Sequence, residues 1–125
     1  MKTKMLVTLS AAIEAATGIA LVAVPELVAR VLLAAELTPS GTAVARLTGI
    51  ALLSLGVACR PGAEEVSTAA TRALFVYNLL AALYLAYLRV GAGFDGFLLW
   101  PAAALHAVLA LLFIRPTFAT TRSAM

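Results

Sequence analysis

Four polar side chains set into long apolar stretches carry whatever chemistry this sequence holds: Glu14, Ser54, Asn78 and His106. Each lies in a run long enough to cross a bilayer, where an ionisable or amide group is costly and marks a functional candidate. Counting about 1.5 Å per residue inward from one end of each run puts Glu14 and Asn78 at roughly 12–14 Å, Ser54 at about 12 Å and His106 at about 16 Å. Each run therefore gives one polar group to a common layer. Arg46, Thr48 and Tyr84 fall in a second layer at roughly 20–25 Å. Three chemistries fit the first layer. It can be a set of interhelical hydrogen bonds that fixes register. It can be a protonatable pair, Glu14 and His106, bridged by Asn78 and passing a proton or cation. It can also line a ligand pocket. Glu14 and Arg46 have opposite charges but differ by about two turns in depth, so a direct ion pair needs both side chains fully stretched.

What is missing narrows the field further. There is no glycine-rich phosphate loop, no spaced set of metal ligands and no nucleophile with a companion base. A single histidine cannot give haem two axial ligands within one chain. The sequence thus points to no cofactor, no metal and no catalytic set. The single cysteine, Cys59, excludes an internal disulfide and reads as a packing residue at the end of an apolar run.

The elements that must position these groups are membrane spans. With 63% hydrophobic and 12% charged residues in 125, and a mean hydropathy of +1.04, the chain is far more apolar than a soluble domain. The expected fold is all-α: a single transmembrane domain over 1–125, a four-helix bundle with spans near 5–24, 42–59, 70–89 and 97–114. Met5 to Val24 imitates the apolar part of a signal peptide, but its length and the internal Glu14 favour a retained first helix. Ser10, Glu14, Thr17, Gly18 and Leu21 recur at helical spacing, so this face should point into the bundle. Pro25 breaks the first span, and 25–37 reads as a short amphipathic helix lying at the membrane interface. Thr38-Pro39-Ser40-Gly41 stops it. In the second span Ala45, Gly49, Leu52 and Gly56 share a side that lets another helix approach closely. Glu64 and Glu65 read as the first turn of the third helix. The turn Gly91 to Gly96 makes helices three and four antiparallel neighbours. Arg115-Pro116 should end the last span and leave a loosely ordered tail. The segment Thr17-Gly18-Ile19-Ala20-Leu21 recurs as Thr48-Gly49-Ile50-Ala51-Leu52, a short echo in a composition rich in Ala, Leu and Gly.

The net charge of +3 does not imply nucleic acid, because the nine Lys and Arg stand singly at span ends. If the N-terminus is cytoplasmic, that side holds Lys2, Lys4, Arg60, Arg72, Arg115 and Arg122 against Arg30, Arg46 and Arg89, and the positive-inside rule favours this orientation with both termini cytoplasmic. Tyr87, Phe94, Phe97 and Trp100 then form an aromatic belt on the far side.

The stretches Arg46 to Cys59, Tyr77 to Ala86 and Leu98 to Leu109 resemble those of short four-span bacterial inner-membrane proteins, similar in layout to the DoxX-like group. The resemblance implies a four-helix architecture in a bacterial cell membrane and brings no assigned activity. Three functions stay open: a structural or accessory membrane protein acting with lipid, a second copy or a membrane partner; a small proton-coupled transporter or channel built on Glu14 and His106; and a membrane oxidoreductase or quinone-related subunit.

Overall fold

The computed structural model describes residues 1–62 and 65–123, with side chains through 119. Among these the chain is all-helical: α1 (Thr3–Ala23), α2 (Pro25–Leu33), α3 (Pro39–Cys59), α4 (Thr68–Val90) and α5 (Leu99–Ser123). Four of them, α1, α3, α4 and α5 as far as Ala119, are long and apolar enough to cross a membrane. The chain is a multi-pass membrane helical bundle with one short helix, α2, at the end away from the termini.

Two intimate pairs build the bundle. α1 lies along α3 and α4 lies along α5. Glycine explains the first pair: a Cβ on Gly49 would stand 2.6 Å from the Gly18 carbonyl oxygen, and one on Gly56 would stand 2.6 Å from that of Ala11. Only bare backbone permits this approach, and close van der Waals contact substitutes for a hydrophobic effect that lipid does not supply between spans. The echoed Thr-Gly-Ile-Ala-Leu segments meet here, glycine against glycine, at the crossing of the two helices. The pairs join in the half nearer the termini through buried Leu6, Val7, Ala11, Cys59, Leu74 and Phe113. Large apolar side chains such as Leu47, Val57, Leu83 and Leu111 point outward, as a lipid-facing surface requires.

Helix ends differ from the sequence expectation in ways local chemistry explains. α2 stops at Leu33 rather than 37, because Ala34 turns left-handed (φ 51°) and the Ala35 N–H reaches back to the Ala29 carbonyl at 3.5 Å. The cluster at 38–41 opens α3 instead of merely ending α2: Thr38 Oγ1 accepts from the Gly41 N–H at 3.1 Å and Pro39 takes the first helical position, where its missing N–H costs nothing. α4 starts at Thr68, capped by the Ser67 side chain, so Glu65 precedes the helix; Glu64 lies outside the described residues. α5 begins two residues later than expected and continues through Pro116 to Ser123, where a stop at 114–115 was expected. Proline deletes one backbone bond. Phe113 is fully buried, Thr117 is buried, and Phe118 meets Phe75 of α4 edge-on at 5.8 Å, so both turns around the proline are held by packing.

At the far end α2 lies across the bundle and touches α1, α3 and α5. Thr42 donates to Glu26 at 3.3 Å, and the Leu98 N–H donates to the Val31 carbonyl at 3.0 Å. Gly96 rests directly on the Leu32 carbonyl.

Candidate functional site

α1 buries its Ser10, Glu14 and Gly18 stripe, and α4 presents Asn78 to it from across the bundle. Asn78 Nδ2 donates to Ser10 Oγ at 3.1 Å and to the Leu74 carbonyl at 2.8 Å. Its Oδ1 lies 2.8 Å from His106 Nδ1 on α5. Helix α5 shows alanine on the neighbouring turns, with Ala103 and Ala110 buried, which lets the imidazole reach inward. His106 Nδ1 is 4.0 Å from Glu14 Oε1. The Glu14 carboxyl is fully buried, and neither of its oxygens has a hydrogen-bond partner. The Tyr77 hydroxyl adjoins it, and the Tyr77 ring meets the His106 ring edge-on with centroids 5.7 Å apart.

Of the first predicted layer, the structure brings together Glu14, Asn78 and His106 and leaves Ser54 outside. Ser54 is exposed on the lipid side and donates to its own helix at the Ile50 carbonyl, 2.8 Å away. Its rotation about the helix axis, which a depth count does not address, turns it away from the others. α3 turns Gly49, Leu52 and Gly56 inward, and Ser54 stands two residues from both Leu52 and Gly56, about 200° around the helix. Ser10 takes the vacant role, and Tyr77 joins the cluster. Ser10 was legible from its place one turn before Glu14; the inward turn of Tyr77 beside Asn78 has no comparable sequence signal.

The second predicted layer does not form a polar cluster. Arg46 Nε donates to the Val22 carbonyl at 3.3 Å, so it caps the last turn of α1 and makes no contact with Glu14. Thr48 donates to Val44 at 2.9 Å, and Tyr84 stacks on Tyr87 with centroids 6.1 Å apart.

Thr48 and Tyr84 instead help to wall a cavity of about 850 Å³ between the two helix pairs. Its walls are mainly leucine and valine, including Leu21, Leu80, Leu85 and Leu105, and α2 crosses its far end with Val28 and Val31. Its base is Tyr77 and His106, with Glu14 directly behind them. The arrangement is a mainly apolar chamber with a polar floor, and Thr17, Thr48 and Tyr84 on its sides. Such a shape accepts a lipophilic molecule tail-outward and holds its polar end by a few fixed groups. No group of three or more metal-ligating side chains comes together among the described residues.

No protein-family model, no curated protein and no solved structure matches this chain.

Proposed function

We propose that this chain is an accessory membrane protein of a bacterial inner membrane, with both termini cytoplasmic, that works by holding a lipophilic ligand in the cavity between its helix pairs. The observation that carries this reading is the conjunction of an apolar chamber of about 850 Å³ with a floor of Tyr77 and His106 backed by the fully buried Glu14. Register alone would be served by the Asn78 bonds, and it asks for neither a chamber nor a carboxyl whose two oxygens lack partners. The six-to-three distribution of Lys and Arg supports the orientation. An alkyl probe carrying a diazirine, activated in vesicles of phosphatidylcholine and phosphatidylglycerol, tests the reading. Insertion should map to Leu80, Leu85 and Leu105 and should be lost in a folded Ala81→Trp, Ala102→Trp variant that fills the chamber. Labelling of only the outward Leu79, Leu83 and Leu111 would refute it.

One observation favours a second reading, proton-coupled transport. The Glu14 carboxyl, 4.0 Å from His106, is the only acidic group buried in the bundle among the described residues. Intramembrane acids of this kind serve proton relays. That reading requires Glu14→Gln to fold normally and to abolish flux driven by a pH gradient in reconstituted vesicles. Absence of any such flux in the unmodified protein would exclude it.

A further inference from the structure

The polar floor has a definite hydrogen-bonding sense, set by one backbone carbonyl. The Leu74 carbonyl oxygen can only accept, so the Asn78 atom 2.8 Å from it is the amide nitrogen. Asn78 Oδ1 is then the atom that faces His106 Nδ1 at 2.8 Å, and it too can only accept. The imidazole must place its proton on Nδ1. In the neutral ring Nε2 is left as a bare acceptor. That nitrogen has no protein partner among the described residues, while the ring lines the cavity and its side chain keeps 12% exposure. Behind it, both Glu14 oxygens lack a hydrogen-bond partner. The Tyr77 hydroxyl adjoins those oxygens. The point at which the floor opens to the cavity, His106 Nε2, is therefore an acceptor without a donor.

We propose that the cavity takes an aliphatic molecule by a hydrogen-bond-donating end, a hydroxyl or an ammonium, bound at His106 Nε2 beneath the Tyr77 ring, and that it rejects molecules whose polar end only accepts. This rests on the reading of the cavity as a ligand site. The donor end satisfies an acceptor that has no protein partner, whereas an ether or ketone oxygen sets lone pair against lone pair. The tail runs from the floor toward α2. Tyr77 and Leu88, both lining the cavity, stand 11 residue steps apart on α4, or about 16 Å of helix, which an extended dodecyl chain matches.

His106 is the only histidine in the chain, which makes a site-specific test available. With ¹⁵N-histidine in phosphatidylcholine nanodiscs, the Nδ1 signal should be of the protonated type and Nε2 of the unprotonated type. Adding dodecanol or dodecylamine should move the Nε2 signal toward the hydrogen-bonded position. Dodecyl methyl ether and dodecane should leave it, with apparent affinity for the donor probe about tenfold or more above that for the ether. A response to either donor supports the inference and identifies the head group. The opposite tautomer, or an equal response to the ether, overturns it while leaving the ligand site standing. If no probe moves the signal and the diazirine probe also fails to label the cavity walls, the ligand-site reading itself has failed.

Discussion

Replacing Gly49 by alanine should separate α1 from α3. The new Cβ would lie 2.6 Å from the Gly18 carbonyl oxygen, 2.8 Å from Leu21 Cβ and 2.9 Å from a Val22 methyl. Valine can rotate away; the carbonyl belongs to helical backbone and cannot. Ordinary contact begins near 3.4 Å, so the axes must part by about 3.4 − 2.6 = 0.8 Å at the crossing. A radial gap of about 0.5–1 Å forfeits a quarter to a half of each affected dispersion well. If the crossing holds about as many atom contacts as one buried leucine, about 40–60 at about 0.1–0.2 kcal/mol, a quarter of that sum is about 1–3 kcal/mol. That agrees with the usual cost of overpacking. Gly18→Ala meets the Gly49 carbonyl at 2.6 Å and should cost a similar amount. The double variant should fall well short of the sum, because one separation relieves both clashes. Reversible unfolding in mixed micelles measures these values, with Gly62→Ala as control because its Cβ would meet nothing within 4 Å. Neutral single variants, or full additivity, would refute the reasoning.

Ala34→Gly should stabilise the protein by up to about 1 kcal/mol in the same assay, since a left-handed alanine carries a steric penalty that exceeds the extra unfolded-state freedom of glycine. Asn78→Leu should cost about 1–3 kcal/mol, because it orphans His106 Nδ1 while leaving Ser10 without its donor; a neutral effect would mean that water or lipid replaces those bonds. The same variant should release the fixed tautomer and give mixed ¹⁵N signals at His106. Reporter fusions after 123 and within 91–96 should place the C-terminus in the cytoplasm and the turn outside, and the reverse result would remove the proposed orientation.

The fold was legible because its strongest constraints are one-dimensional. About 20 apolar residues in a row, a proline at 25 and a glycine-rich break at 91–96 mark spans and turns with little help from tertiary contacts. The inward faces of α1 and α3 were equally open to reading, since Gly18, Gly49, Leu52 and Gly56 follow helical spacing. Three features were hidden for physical reasons. The rotation of Ser54 depends on which face of α3 meets α1, and a depth count is blind to it. Whether α5 continues past Pro116 is decided by the contact of Phe118 with Phe75, a pair 43 residues apart. The cavity exists because two tight pairs diverge above a shared core, and nothing local in the sequence encodes that divergence. Arg46 shows a fourth limit: a charged residue at membrane depth proved to cap α1 at Val22, a satisfied structural role rather than a partner for Glu14.

The most direct test of the cavity is to locate a ligand in it. Crystals grown in a lipid phase with dodecanol brominated at its terminal carbon would report the tail by anomalous scattering. The expected result is a bromine peak inside the bundle near Val31 and Leu88, with the hydroxyl within hydrogen-bonding distance of His106 Nε2. Bromine found only on the lipid-facing surface beside Leu83, Val108 and Leu111, in a protein that retains the His106 to Asn78 contact, would contradict it.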